Sequence, residues 1–229
     1  THTHADGPLV STQWLEDHLD AVDPIAERIG ALNSVVRLED GSLEGFNTDA
    51  PGFLGAAESE LGLEVDGATI GVAGAGGAAR AVVNALADAG ASSIIIGNRT
   101  PGRAEALADE FDGRVSATTL GREFDANLGE VDLAVNAPTI GMIDEGAAFD
   151  VGSLPDRAAV YDLVYIPPET QLLRAARLRG LRAANGLGML VAQAEIAFER
   201  WTGVAGAGGI MAEALRSDPR TRNPEVRTD

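Results

Sequence analysis

The sequence lacks two residue types completely, cysteine and lysine. Without cysteine there can be no disulfide, no thiolate nucleophile and no cysteine-ligated zinc or iron–sulfur site. Long apolar stretches are also missing, because no run of about 18 apolar residues is present to cross a membrane. A secretory signal pattern is not visible either. Together these absences predict a cytoplasmic protein without a metal site.

Positive charge is scarce: 17 arginines face 35 Asp and Glu residues, which gives a net charge of −18 over 229 residues. A surface this acidic repels nucleic acid and anionic membranes, so we expect a small-molecule partner instead. Acidic, lysine-free chains resemble proteins of salt-loving organisms, in which salt screens the repulsion between carboxylates. A GC-rich codon bias, which also replaces Lys by Arg, is the alternative explanation.

Apolar runs alternate with helical patterns over most of the chain. The runs, which predict buried strands, are 69–73, 93–97, 133–136 and 160–164. The helices predicted between or after them end at Gly90 or cover 103–111, 169–180 and 189–202. This alternation predicts an α/β fold with a doubly wound parallel sheet, the Rossmann architecture. Before it, we expect a helix over 23–29, a hairpin of strands 33–37 and 43–46, and a helix over 51–61.

A glycine-rich turn follows the first of these apolar runs. Gly74 permits a tight turn, and Gly76 lets the backbone approach a pyrophosphate. The helix that follows offers free N–H groups and the positive end of its dipole to that anion. The third motif position is Ala79, which the Gly/Ala form of the motif allows. A purely structural turn is the alternative, but the position between strand and helix favours a dinucleotide site.

The end of the second apolar run indicates which dinucleotide binds. An NAD site would have a carboxylate there for the ribose 2′-hydroxyl. The sequence instead reads Asn98, Arg99 and Thr100, with Arg103 close behind. Arginine can stack on adenine and pair with a 2′-phosphate, so this segment predicts NADP. Surface arginines at a helix start are the alternative, although cations there oppose the helix dipole.

Several blocks of the sequence together resemble the shikimate 5-dehydrogenase family. The resemblance covers about residues 19–205, and the blocks occur in the family's order. They read LDAVDPIAERIGALNSVV, GFNTDAPGF, GAGGAARA, NRTPGRAEALA, YDLVYIPPETQLL and NGLGMLVAQAEIAFERWTG. The resemblance implies the reversible, NADPH-dependent reduction of 3-dehydroshikimate to shikimate, a step of aromatic amino-acid biosynthesis.

The family motifs also imply roles for individual residues. Asn33 and Asp49 would contact substrate hydroxyls, with Asp49 as half of a catalytic Lys–Asp pair. Tyr165 and Gln193 would also bind the substrate. Taken alone, Asp49 could equally be a helix N-cap and Gln193 a hydrogen-bonded core residue. The residues implied to bind NADP are Gly74, Ala75, Gly76, Gly77 and Ala78 at the pyrophosphate, Asn98, Arg99, Thr100 and Arg103 at the 2′-phosphate, and Leu163 and Gly186 at the nicotinamide.

The chain departs from the family pattern in two places. The family's catalytic lysine lies in a V-T-x-P-x-K stretch, where this chain reads LVSTQW over 9–14. A preceding Ser-x-Ser motif for the substrate carboxylate is also not found, and residues 1–18 do not match. The second departure is Pro138, in Asn136-Ala137-Pro138, where the family favours Asn-Ala-Thr; the proline should alter the loop after its strand.

We therefore expect a family member shortened at its N-terminus. The predicted domains are a partial α/β substrate-binding domain over 1–58, a Rossmann NADP-binding domain over 59–186, and C-terminal helices over 187–229 that return to the first domain. A monomer or homodimer is expected. Two alternatives to shikimate dehydrogenase remain open: a paralogue acting on quinate or a related hydroxy acid, and an NADP-binding protein without catalytic activity.

Overall fold

A computed structural model describes residue 15 and residues 17–143 and 146–221 of the chain. Its first sheet is small and has the order β1-β3-β2. The strands are β1 (Ala21–Val22), β2 (Ser34–Arg37) and β3 (Leu43–Phe46). β2 and β3 form the predicted antiparallel hairpin, in which Gly41 has φ +92° and the Ser42 N–H donates to Asp40. β1 pairs in parallel with the other side of β3.

The second sheet has six strands, all parallel, in the order β6-β5-β4-β7-β8-β9. The strands are β4 (Thr69–Ala73), β5 (Ser93–Asn98), β6 (Val115–Thr119), β7 (Leu133–Asn136), β8 (Ala159–Asp162) and β9 (Arg182–Asn185). The chain runs outward from β4 in one direction and then returns to start again at β7. This is the doubly wound order, and it confirms the predicted fold class.

Eight α-helices connect or cover the sheets in the described part of the chain. They are α1 (Pro24–Ile29), α2 (Asp49–Leu61), α3 (Gly77–Asp88), α4 (Pro101–Ala108), α5 (Arg122–Ala126), α6 (Gln171–Leu178), α7 (Leu187–Thr202) and α8 (Gly208–Ser217). α1 shows why such helices begin and end where they do: the Asp23 side chain accepts the Ala26 N–H, and Gly30 closes the helix with φ +66°. None of the helices in the described ranges is long and apolar enough to cross a membrane.

The central strands of the large sheet are buried on both faces. Ile70, Val72, Ile94 and Leu133 are fully buried, which explains the continuous apolar runs in the sequence. One face packs against α2 and α3, with Phe53 and Tyr161 meeting edge to face at 5.3 Å. The other face packs around a Phe124–Phe149 pair at 6.1 Å. Two cores therefore cover the two faces of the large sheet.

The structure adds elements that the sequence did not predict, namely β1, β6, β9, α5 and α8. It also shifts some ends: the helix expected over 103–111 is α4 (Pro101–Ala108), and the one expected over 169–180 is α6 (Gln171–Leu178). The predicted domain boundary at residue 58 lies within α2, which continues to Leu61. The division of the chain into 1–58, 59–186 and 187–229 stays a prediction.

Candidate active site

A cleft of about 230 Å³ opens at the carboxyl edge of the large sheet, where the strand order reverses between β4 and β7. Ligands of doubly wound sheets bind at this switch point. Residues from the loops after β7, β8 and β9 line one side, and residues from α2 and α7 line the other. The lining residues are Asp49, Ala78, Ala137, Pro138, Thr139, Met142, Leu163, Val164, Tyr165, Gly186, Met189, Leu190 and Gln193. Six of the predicted site residues thus meet in one cleft: Asp49, Ala78, Leu163, Tyr165, Gly186 and Gln193.

The glycine-rich turn lies between β4 and α3, as predicted. Gly74 has φ +102°, and a Cβ there would come within 2.8 Å of Pro138 Cδ, so only glycine fits. Gly76 and Gly77 are exposed and face open space, and no side chain caps the start of α3. An anionic group can therefore reach the free N–H groups of the helix. Together with Ala75 and Ala78, this turn fits a pyrophosphate.

The segment after β5 contains the residues predicted to bind the 2′-phosphate. Asn98 Nδ2 donates to the carbonyl of Thr100 at 2.9 Å and so shapes the turn. Arg99, Thr100 and Arg103 are all exposed. Within the described ranges neither arginine pairs with a carboxylate, although acidic residues outnumber arginines about two to one. Their guanidinium groups are thus available to an incoming phosphate.

The first turn of α2 presents Asp49 to the cleft. Asn33 Nδ2 donates to Asp49 Oδ1 at 2.9 Å and to Thr48 Oγ1 at 3.1 Å. Asn33 Oδ1 accepts the Thr48 N–H at 3.1 Å, so the amide is fixed on both sides. The structure thereby joins the two residues that the family resemblance assigned to substrate hydroxyls, one before β2 and one at the start of α2.

Asp49 is not the N-cap of its helix. Thr48 is the N-cap residue and makes no side-chain capping bond; the side-chain oxygen of Asn47, one residue earlier, accepts the N–H groups of Asp49 at 3.0 Å and Ala50 at 3.2 Å. The N-cap interpretation of Asp49 is therefore wrong, and its carboxylate is free to face the cleft. Burial raises the pKa of Asp49 above its usual 3.8, and the hydrogen bond from Asn33 opposes this only in part.

Gln193 reaches the same cleft from α7. A Cβ on Gly52, one turn after Asp49, would lie 3.0 Å from the backbone nitrogen of Gln193 and 3.1 Å from its Cβ. The absence of a side chain at Gly52 therefore allows α2 and α7 to approach closely. Gly52 is not among the predicted site residues. A glycine within a helix was the available signal, because glycine weakens a helix unless packing requires it, but Gly55 in the same helix carries this signal without such a contact.

The two residues predicted to lie at the nicotinamide depend on another close approach. A Cβ at Gly186 would lie 2.1 Å from the carbonyl oxygen of Leu163, and the Gly186 N–H donates to the Val164 carbonyl at 3.2 Å. Glycine therefore lets the start of α7 lie directly on the loop after β8. This places Leu163 and Gly186 side by side. Pro138, the departure from the family pattern, also lines this cleft.

Two family models match the chain. The model for shikimate/quinate 5-dehydrogenase matches residues 56–140, and that for the C-terminal domain of shikimate 5′-dehydrogenase matches residues 186–216. Shikimate dehydrogenase (NADP(+)) from Citrifermentans bemidjiense is 44% identical over 207 residues, which cover 86% of this chain and 70% of that protein. The chain belongs to the shikimate dehydrogenase family.

Solved structures of similar proteins agree with this family membership. The shikimate 5-dehydrogenase of Thermus thermophilus, in complex with NADP(H) and shikimate, matches with a TM-score of 0.78 and 42% identity over 89% of this chain and 74% of that one. A quinate dehydrogenase from Corynebacterium glutamicum in complex with NAD matches with a TM-score of 0.82 and 34% identity, over 90% and 74% of the two chains.

In this member of the shikimate dehydrogenase family, a second cavity of about 310 Å³ lies between α2, α7 and α8. It is larger than the cleft but contains none of the predicted site residues. Glu60 lines it, and burial raises the pKa of this carboxyl group. Glu60 lies close to the buried Tyr161, whose hydroxyl accepts the Met189 N–H at 3.3 Å near the start of α7.

Proposed function

We propose that this protein interconverts 3-dehydroshikimate and shikimate with NADP as cofactor, a step of aromatic amino-acid biosynthesis. One observation carries the proposal: the cleft combines Asp49 and Gln193 from paired helices with Leu163 and Gly186 at the switch point of a dinucleotide-binding sheet. The names of the relatives, shikimate dehydrogenase (NADP(+)), support it. The acidic surface and the small cleft are consistent with a small-molecule substrate.

Different residues of the chain would bind different parts of the cofactor and the substrate. The turn over 74–78 would bind the pyrophosphate, Asn98, Arg99, Thr100 and Arg103 the 2′-phosphate, and Leu163 and Gly186 the nicotinamide. When bound, the cofactor supplies or accepts the hydride. Tyr165 and Gln193 would donate hydrogen bonds to substrate hydroxyls. Asn33, whose amide hydrogens are used by Asp49 and Thr48, would contact the substrate beside Asp49.

Asp49 would move the proton of the reacting hydroxyl. As a carboxylate it accepts the proton when the hydroxyl becomes a carbonyl, and it returns the proton in the reverse direction. Its raised pKa suits this exchange, because a base whose pKa is nearer to neutrality transfers protons in both directions more readily. Asn33 keeps the carboxylate oriented through its 2.9 Å hydrogen bond.

The test is reduction of NADP with saturating shikimate in molar KCl. Turnover by the native chain and a loss of about 10²–10⁴-fold in Asp49→Asn, the usual size of general acid–base assistance, would support the proposal. Equal turnover in Asp49→Asn would contradict the role of Asp49. Parallel assays with quinate would decide whether the chain is instead a quinate-type paralogue, the alternative that the quinate dehydrogenase neighbour favours.

The absence of lysine favours a second alternative, an NADP-binding protein without catalytic activity. The resemblance implied a Lys–Asp pair, yet the 229 residues contain no lysine to pair with Asp49. Arginine is a poor substitute, because it hardly gives up a proton. A chain that binds NADPH tightly but leaves shikimate and quinate unchanged in the assay would support this alternative. Turnover of either compound would exclude it.

We further propose that the protein acts in the cytoplasm as a monomer or homodimer. The same proposal includes a substrate-binding unit formed by residues 1–58 and the returning helices over 187–229, beside a cofactor-binding unit over 59–186. The position of Asp49 and Gln193 on packed helices, across the cleft from Leu163, supports this division.

A further inference from the structure

A buried carboxylate lies directly behind the nicotinamide wall of the cleft. Asp162 is the last residue of β8, and it is fully buried. It accepts three hydrogen bonds: from Asn136 Nδ2 at 2.8 Å, from the Val164 N–H at 3.1 Å and from Thr170 Oγ1 at 2.6 Å. All three donors are neutral, and burial raises the pKa of this carboxyl group. Removing a carboxylate from water costs free energy, so the burial of Asp162 among neutral donors requires a structural or functional reason.

The first donor connects Asp162 to the loop after β7. Asn136 ends β7 and is paired with Asp162 across the sheet. Its Nδ2 also donates to the carbonyl of Ile140 at 3.0 Å, which closes the loop over 137–140 onto the sheet. Pro138 and Thr139 in this loop line the cleft. Removing the Asp162 acceptor would leave the Asn136 amide held by the Ile140 carbonyl alone and so loosen one wall of the cleft.

The other two donors connect Asp162 to the loops after β8 and β9. The Val164 N–H donates to Asp162, and the Val164 carbonyl accepts the Gly186 N–H at the start of α7. Thr170 is buried and caps α6 by accepting the Leu173 N–H at 3.3 Å. The segment between Val164 and Thr170 is thus held at both ends by one carboxylate, and it contains the cleft residue Tyr165.

We infer that Asp162 is a positioning residue that fixes the nicotinamide-binding wall, while the adenosine end of the site is built without it. This inference rests on the proposed function, because it assumes that NADP lies along the switch point. The 2′-phosphate segment follows β5, on the far side of β4 from β8. Loss of the Asp162 hydrogen bonds should therefore weaken contacts to the nicotinamide and leave contacts to the 2′-phosphate intact.

Two ligands distinguish the ends of the site. NADPH contacts both ends, whereas adenosine 2′,5′-bisphosphate contains the adenosine and its 2′-phosphate but no nicotinamide. For Asp162→Ala we expect about a tenfold loss of NADPH affinity and less than about a twofold change for the bisphosphate, with tenfold corresponding to the loss of one good hydrogen bond. The NADPH titration follows nicotinamide fluorescence, and the bisphosphate titration uses calorimetry.

Three further variants sharpen the test. Asp162→Asn retains an oxygen for Asn136 and Val164, and its amide can donate to Thr170 once that hydroxyl turns, so NADPH affinity should return to within about threefold of native. Thr170→Val removes one donor and should lower NADPH affinity selectively, which keeps the inference testable if Asp162→Ala does not fold. Asn84→Ala changes a buried polar residue of α3 whose amide donates to the Arg80 carbonyl in the same helix, and it is the matched control.

The outcomes separate this inference from the proposed function. A native chain that binds neither ligand overturns both. A native chain that binds both, with equal losses of the two ligands in Asp162→Ala, overturns the positioning role alone. If Asp162→Ala does not fold and Thr170→Val does, an equal loss of affinity for NADPH and for the bisphosphate in Thr170→Val also overturns the positioning role. Selective loss of NADPH, rescued in Asp162→Asn and not seen in Asn84→Ala, is the result expected.

Discussion

At the residue scale, the cleft contains a carboxyl group whose ionised form is unfavourable because it is partly removed from water. Asp49 is partly buried beside Asn33 and has no lysine anywhere in the chain to pair with. Folding therefore favours the neutral form of this carboxyl group, which is why its pKa is raised. A group with a raised pKa in the folded state destabilises the fold when it is ionised, and this destabilisation disappears at low pH.

Asp49→Asn should therefore stabilise the protein near neutral pH. The gain should be fully present above the raised pKa of Asp49 and should vanish as the pH falls below 3.8, where the carboxyl group is protonated in both folded and unfolded chains. Each kcal/mol corresponds to a Tm increase of about 2–4 °C. Asp112→Asn, at an exposed position, removes the same charge and is the control. A gain no larger than that of the control would contradict the prediction.

Arg99 should determine the preference for NADPH over NADH. Losing a 2′-phosphate bound by arginine costs about 1.5–3 kcal/mol, the range for hydrogen bonds to charged groups. Titration of both cofactors in molar KCl should show this preference, and Arg99→Ala should remove most of it. Arg114→Ala changes an exposed arginine just before β6, at the amino ends of the strands, whereas Arg99 lies at their carboxyl ends. This variant should leave the preference unchanged. Equal affinities in the native chain would rule out the 2′-phosphate site.

At the element scale, the feature that organises the substrate side is the contact between α2 and α7. Gly52 lets the two helices approach until its own Cβ position is 3.0 Å from the Gln193 backbone. Asp49 begins α2 one turn earlier. The distance between two polar groups that would bind the same ring is thus set by helix packing.

Gly52→Ala should push the helices apart. The added methyl group meets backbone atoms, which cannot rotate away, so overpacking should cost about 1–3 kcal/mol and lower the Tm. The KM for shikimate should rise as well, because Asp49 and Gln193 separate. Gly55→Ala in the same helix has no atom within 4 Å of the new Cβ, and there we expect a gain of about 0.5–1 kcal/mol from helix propensity. Tm values that change equally in the two variants would contradict the packing argument.

The elements missed in the sequence share a physical cause. β6 reads VSATT and β9 reads RAAN, and each is an edge strand of the large sheet, so neither needs a continuous apolar run. β1 has only two residues and depends on its pairing with β3. The central strands were predicted because strands that are buried on both faces consist of continuous apolar runs.

Predictability at the site follows the same logic. The glycine turn and the segment after β5 are local motifs, and the structure places both where the sequence indicated. The roles of Gly52, Asn47 and Asp162 depend on partners far along the chain or on the exact helix start, and no local pattern reports them. Asp162 in particular lies inside the apolar run 160–164, where only its charge was unusual.

At the scale of the whole molecule, charge is the dominant property. The net charge of −18 is distributed over a chain of only 23.6 kDa. The ion pairs in the described ranges are few and mostly exposed, such as Arg28–Asp88, and exposed pairs stabilise weakly. Repulsion between the remaining carboxylates therefore opposes folding unless dissolved salt screens it.

The Tm should rise as KCl is increased from low to molar concentration. At about 1 M salt the Debye length is about 3 Å, so repulsion between neighbouring carboxylates is largely screened. Thermal unfolding in a KCl series, repeated with an equally concentrated neutral osmolyte as the control, measures this directly. A Tm that is constant or falls with KCl would contradict the adaptation to salt that the composition indicates.

The chain passes between the small sheet and the large one along α2 and returns along α7, and these two helices touch at Gly52 and Gln193. Any opening of the cleft must therefore carry both helices together as one body. Asp49 and Gln193 would keep their spacing while the loop containing Leu163 recedes from them. Release of the product would then require no rearrangement among the groups that recognise it, and the next substrate would meet a receptor already assembled.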